Sequence, residues 1–352
     1  MTARAEITTN WGVIGHEWAV SALARSIATD RAAHAYLFTG PHAIGKTTLA
    51  RALAQTLECT ANNRPCGKCS ACQKIARDRH PDVQVIEGVP PRYDFDKDPP
   101  PPQRASDSER RTLRIKQIRD LEHTVSRAPF EGRWRIVILR CFEEAEEAAA
   151  NAFLKTLEEP PSHTRLILTA RDTSLLLPTI ASRCQVLALR PLVPALVERT
   201  LIEKSIDAER ARLLAHLSGG RIGWALRAAQ NPAMLDTRNE CLDTLTTVVQ
   251  EGRAERLVRA DALAKKSDDL PELLDFWLGW WRDVLLMQTG EGARVTNVDR
   301  ANILQDHATR FSFEQVSRAV KSVRATARYL AQNVNARLAV EVLLLNLPGV
   351  GA

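Results

Sequence analysis

A chain of 352 residues exceeds one average domain, so two or three domains are expected. Hydrophobic residues make up 45%, enough for real cores, yet no run of eighteen apolar residues occurs and the stretch MTARAEITTNWGVIG has no apolar signal core; a soluble, cytoplasmic protein without membrane contact is expected. Forty-eight basic against forty-two acidic residues give +6, which permits contact with a polyanion without marking a site.

In chain order, Ala35 to Thr39 is a short apolar run ending at a glycine loop, and Thr47 to Leu57 has helical spacing. Between them lies Gly40-Pro-His-Ala-Ile-Gly-Lys-Thr47, a phosphate-binding loop in the strand–loop–helix context its chemistry requires. Backbone N–H groups from Ile44 to Thr48 would line the anion site, Lys46 would reach the outer phosphates and Thr47 would face Mg²⁺. Gly40, Gly45, Lys46, Thr47 and Thr48 are therefore the candidate ATP/Mg²⁺ set.

Next comes a C-x6-C-x2-C-x2-C cluster of Cys59, Cys66, Cys69 and Cys72, with Gly67 allowing a tight knuckle. In a reducing compartment this spacing points to a metal before disulfides, and four thiolates suit a structural tetrahedral Zn²⁺. Two rivals remain: an iron–sulfur cluster, whose usual following x3-C-P is absent here, and redox or spare thiols.

Val83 to Ile86 reads as a strand, and from Gly88 to Ser108 the chain carries six of its eighteen prolines. The stretch of about 88–110 is expected to be a disordered surface insertion. Leu113 to Val125 is an amphipathic helix pattern; beside it Arg110, Arg111, Arg114, Lys116 and Arg119 form a basic run, read as a solvated face or as phosphate contacts. Arg135 to Leu139, Arg165 to Thr169 and Gln185 to Leu189 are strand candidates, with a helix from Glu146 to Leu157. Strands alternating with helices predict a parallel α/β sheet covered on both faces.

Beyond Pro191 the pattern turns helical, and from Asp236 to Leu347 no strand is credible. Short helical patterns broken by Gly219-Gly220 and Asn231-Pro232 predict a small helical domain, and Asp236 to Leu347 predicts a helical bundle. The expected architecture is α/β plus all-α: a nucleotide-binding core over 1–190 with a cysteine module at 59–72, a helical lid over 191–234 and a bundle over 235–352. Trp277, Trp280 and Trp281 share one helix face, as bundle core or subunit contact, with base stacking the alternative.

Hydrolysis needs more than a phosphate loop, because the partner strand must end in an aspartate that helps hold the metal, usually followed by an acid. Here the strand ends in Arg140 and Cys141. Exchanging a metal-binding acid for Arg140 changes local charge by two, which predicts nucleotide binding without turnover unless Glu143 or Glu144 reaches back; a relic loop is the other reading. Arg183, in Ser182-Arg183-Cys184, is either an exposed helix-end charge or an arginine finger serving another subunit.

Together these residues resemble the delta-prime subunits of the bacterial DNA polymerase III clamp loader, members of the AAA+ superfamily. The likeness is carried by Val13-Ile-Gly-His16, His34-Ala-Tyr-Leu-Phe38, the four-cysteine module, the run from Ala149 ending in Leu157-Glu-Glu-Pro-Pro161, and Ser182-Arg-Cys184; it is firm over 11–190 and weaker beyond. It implies an AAA+ core with lid and collar, and a hetero-pentameric ring with tau/gamma and delta subunits that loads a sliding clamp on primer-template DNA. The chain would then be a component of the polymerase holoenzyme with no ATPase of its own. By position Arg183 receives the in-trans catalytic role, and Gly223 stands where a motor subunit carries its lid arginine, with Arg221 out of register. Two alternatives remain: an active tau/gamma-type ATPase, and a zinc-containing DNA-binding protein with a vestigial loop.

Overall fold

The computed structural model describes residues 6–7, 10–99, 111–331 and 334–349. The described residues separate into two compact units, one containing those up to 99, 111–192 and 221–223, the other 193–220 and those from 224 onward.

The first unit runs β1 (Glu6–Ile7), α1 (Glu17–Ala28), β2 (Ala35–Thr39), α2 (Lys46–Glu58), β3 (Asn63–Arg64), α3 (Ser70–Ala76), β4 (Val83–Ile86), α4 (Ile115–Val125), β5 (Arg135–Leu139), α5 (Glu147–Glu158), β6 (Thr164–Ala170), α6 (Pro178–Ala181) and β7 (Gln185–Ala188). Five strands form one parallel sheet in the order β4-β5-β6-β2-β7, with Leu37 of β2 opposite Leu168 of β6 and Val186 of β7. Alternate side chains leave on opposite faces. Tyr36, Phe38, Ile136, Ile138 and Ile167 pack with Leu23, Leu49 and Leu53, whereas Leu37, Val137, Leu139 and Leu166 pack with Ile118, Leu121 and Phe153. With both faces covered, β2 and β5 are buried along their whole length, so their sequences read as continuous apolar runs.

Two buried carboxylates fix the turn before β5. Asp82 accepts the N–H groups of Phe130, Glu131 and Gly132 at 2.7–2.8 Å and pairs with Arg135 at 2.9 Å; Glu58 accepts those of Arg133 and Trp134 at 2.8 Å. Burial works against an ionised Asp82, but those three N–H groups and Arg135 hold its carboxyl below the usual range. At Glu58 burial prevails and pushes the carboxyl up.

Residues 88–99 differ from the expected disorder. Val89 and Thr112 exchange both backbone hydrogen bonds at 2.9 Å, Tyr93 and Phe95 meet edge to face, and Asp98 Oδ2 accepts the Asp94 N–H at 2.6 Å. Prolines lack donors, and the N–H groups of Val89, Tyr93, Asp94, Asp96, Lys97 and Asp98 find acceptors close by in this segment or at Thr112. Residues 100–110 lie outside the described residues. Nor is the basic run uniformly solvated: Arg111 is buried against Glu87, Arg114 Nη1 donates to the Tyr93 carbonyl at 2.8 Å, and Lys116 pairs with Asp96 at 2.8 Å.

The second unit is helical: α7 (Pro194–Glu203), α8 (Ala208–Leu217), α9 (Ile222–Gln230, whose first two residues group with the first unit), α10 (Ala233–Gln250), α11 (Arg253–Ala264), α12 (Leu270–Gln288), α13 (Ala301–Arg310), α14 (Phe313–Ala331) and α15 (Ala336–Asn346). Trp277, Trp280 and Trp281 are fully buried at its centre, with Leu274, Val284 and Leu304, so the tryptophan face is core rather than a stacking platform. Arg256 ties this core together without a carboxylate: its guanidinium donates to the carbonyls of Val248, Glu251, Leu344, Leu347 and Pro348 at 2.7–3.1 Å, at the C-terminal ends of α10 and α15 where helical donors run out. No helix among the described residues is long and apolar enough to cross a membrane.

Candidate nucleotide site, metal centre and in-trans arginine

The phosphate loop leaves β2 and opens α2 at Lys46. Two glycines are required by geometry. A Cβ on Gly40 (φ +141°) would lie 2.6 Å from the Leu189 carbonyl oxygen, and Gly45 takes φ +112° at the N-cap of α2. Behind the loop, buried His16 donates through Nε2–H to the Ile44 carbonyl at 3.0 Å, which gives the His16 of the sequence motif a loop-bracing task. Lys46 Nζ donates to the Gly40 and Pro41 carbonyls at 2.6 and 2.8 Å, so a bound triphosphate would compete with the loop itself for the ammonium. Thr47 and Thr48 occupy the first turn of α2, where uncapped N–H groups favour an anion.

Arg140 follows β5, two strands away from β2. Its Nη1 pairs with Glu87 Oε2 at 2.7 Å, and Arg111 Nη1 pairs with Oε1 of the same carboxylate at 3.1 Å. One acid thus serves two guanidinium groups at the strand end where hydrolysis would call for a metal-binding acid. Glu143 does not reach back: its carboxylate faces Arg171, taking the backbone N–H at 3.2 Å and Nε at 3.3 Å. Nothing in the sequence marks Glu87 as this partner, because the two residues lie 53 positions apart.

The four cysteines converge, with all Sγ atoms within 4.8 Å of one another and those of Cys59 and Cys69 at 3.9 Å. Tetrahedral coordination with metal–sulfur bonds of about 2.3 Å requires sulfurs about 3.8 Å apart, so the donors fit a metal ion. Backbone N–H groups already point at the sulfurs, Cys66 to Cys59 at 3.4 Å and Cys69 to Cys66 at 3.3 Å. Burial opposes a thiolate at Cys69, yet the N–H groups of Cys72 and Thr60 and the neighbouring thiols bring its pKa down to about 6. The set belongs to an element of its own, since β3 pairs with β1 between Cys59 and Cys66.

Arg183 follows the short α6 and is about one-third exposed, its Nη2 2.5 Å from Glu158 Oε1. Gly223 groups with the first unit, where its N–H donates to the Ala43 carbonyl at 2.8 Å; an added Cβ would lie 2.8 Å from that oxygen, so this backbone leaves no room for the side chain of a lid arginine.

A five-stranded parallel sheet with its phosphate loop on the strand second from the edge, followed by a helical unit, defines a P-loop protein of the AAA+ class. The family model described as "DNA polymerase III, delta subunit" matches residues 15–193, half of the chain, and that described as "DNA polymerase III, delta subunit, C terminal" matches 232–348. The chain is 28% identical to DNA polymerase III subunit delta' of Bacillus subtilis over 92% of its own length and 94% of the relative's. Against subunit delta' of Pseudomonas aeruginosa identity is 33%, covering 73% of each. Subunit tau of Escherichia coli is 34% identical over 61% of this chain but only 31% of its own length. The chain belongs to the DNA polymerase III delta-prime family of clamp-loader subunits.

Proposed function

We propose that this chain is the non-hydrolysing member of its clamp loader, acting through shape and by supplying Arg183 to the ATP site of a neighbouring tau/gamma-type subunit. The observation that carries the reading is Arg140, ion-paired to Glu87 at the end of β5. A cation there disfavours Mg²⁺, and without a positioned metal phosphoryl transfer loses its main source of charge stabilisation. The loop around Gly40, Gly45, Lys46, Thr47 and Thr48 still offers a phosphate cradle, so ATP is bound with little metal dependence and held rather than turned over. Thiolates of Cys59, Cys66, Cys69 and Cys72 hold a structural Zn²⁺ that closes the module, the four-sulfur donor set leaving no position for substrate. The three-part plan of core (1–190), lid (191–234) and collar (235–352) follows the resemblance. The partners are tau/gamma and delta subunits in a five-membered ring, the sliding clamp and primer-template DNA, all in the cytoplasm.

Phosphoryl transfer in the neighbour spreads negative charge over the equatorial oxygens, and a guanidinium placed there stabilises it by about 10³–10⁵ in rate. In the reconstituted complex, Arg183→Ala lowers ATP turnover by at least the share of the site it serves, with assembly unchanged by size-exclusion chromatography. Turnover equal to wild type refutes the in-trans role. ATP hydrolysis by the isolated chain that disappears in Lys46→Ala refutes the non-hydrolysing role.

A further inference from the structure

Arg183 already has an anionic partner within its own chain. Its Nη2 lies 2.5 Å from Glu158 Oε1 and its Nη1 donates to the Thr179 carbonyl at 2.9 Å. Glu158 is the last residue of α5, so the guanidinium rests near the C-terminus of that helix, where the negative end of the dipole attracts a cation, and the Thr179 carbonyl of α6 holds it from the other side. The side chains of Arg183 and Glu158 are 34% and 49% exposed. A pair this open to water is screened and separable, unlike the shielded contact of Arg111 with Glu87, where the arginine side chain has no exposure at all.

We propose that Glu158 is a positioning residue that parks Arg183 in cis, so that engaging a neighbour exchanges a carboxylate for a triphosphate. The proposal rests on the in-trans reading of Arg183. The Glu158 carboxylate offsets the guanidinium charge and repels the phosphate oxygens of another subunit, so the two contacts compete. A carboxylate carries one negative charge and a triphosphate several, so the exchange favours the neighbour once its nucleotide comes within reach. With the neighbour further away, parking holds turnover down. Glu158 thereby acts as a brake on resting hydrolysis, built from the residue that ends α5.

The test uses the reconstituted complex with ATP, without clamp or DNA, where parking weighs most. Arg183→Ala defines the part of turnover that depends on the arginine. Against it, Glu158→Gln, which keeps shape and removes charge, raises the Arg183-dependent turnover roughly two- to fivefold, the equilibrium weight of an exposed ion pair. The Glu158→Gln/Arg183→Ala double variant matches Arg183→Ala alone, because Glu158 acts through the guanidinium. Glu159→Gln changes neither. Unchanged or reduced turnover in Glu158→Gln overturns the proposal, as does a rise that persists in the double variant or appears equally in Glu159→Gln. If Arg183→Ala itself has no effect, it is the in-trans reading that fails. Size-exclusion chromatography of each complex confirms that assembly is intact.

Discussion

Acidification should unlock the second unit through His307. This residue is almost fully buried, its ring stacked on Trp281 and edge-on to Trp280 and Phe311, and its Nδ1 accepts the indole N–H of Trp280 at 3.1 Å. Burial holds its pKa at about 4 against an ordinary 6.5; the Asp306 charge works the other way and Arg310 reinforces the shift. A proton on Nδ1 would also set two donors face to face. Because the folded value lies below the unfolded one, the unfolded chain takes up the proton first, so stability is intact above pH 6.5 and is lost as pH falls toward 4. The full difference is worth about 3 kcal/mol, of which about 2 kcal/mol is lost between pH 7.5 and 5.0. Urea unfolding followed by tryptophan fluorescence at these two pH values reads the loss, with His307→Asn as reference because it keeps an acceptor and cannot titrate. The variant is less stable at neutral pH, from lost packing, but its stability falls by about 2 kcal/mol less on acidification. Equal acid losses in wild type and variant would refute the argument.

Three further outcomes are expected. Arg256→Met leaves carbonyls of Val248, Glu251, Leu344, Leu347 and Pro348 without their donor and costs about 3–5 kcal/mol in chemical unfolding, with Arg256→Lys recovering part; a loss below about 1 kcal/mol contradicts the capping role. Arg140→Asp puts an acid at the end of β5 while Glu87 keeps Arg111, so ATP binding measured by calorimetry becomes about tenfold tighter with Mg²⁺ than without it; the wild type shows little difference, and a strong Mg²⁺ dependence in the wild type speaks against the charge argument. Elemental analysis finds one zinc per chain, released by acid because the thiols must be deprotonated to bind, and Cys72→Ser lowers both zinc content and melting temperature; iron, or no metal, overturns the zinc assignment.

Much of this protein is legible in sequence because the signals are local. The phosphate loop from Gly40 to Thr47 carries its chemistry in eight consecutive residues, and the four cysteines fall within fourteen. Strands expected at 35–39, 83–86 and 135–139 form with those bounds; β2 and β5 are buried on both faces and so read as nearly continuous apolar runs, while β4, at the sheet edge, keeps the exposed Gln84. The tryptophan face of α12 follows from helical period alone. Charge partnerships behave differently. Arg111 looks like one cation of a solvated run, yet it is buried against Glu87, because the bridge between Val89 and Thr112 lays the residue before Thr112 against the end of β4. The turn at 130–134 offers no sequence pattern that names Asp82 and Glu58 as the acceptors of its N–H groups.

The sequence by itself determined that this chain has a phosphate-loop motif, a four-cysteine module and arginines at positions 140 and 183, because each is a matter of which residues stand next to one another. Only the tertiary structure decided which acids those arginines meet: Glu87, shared with Arg111, for Arg140 across 53 positions and Glu158 for Arg183 across 25. A charge is a property of one residue, but its energy depends on what the fold places within a few ångströms of it.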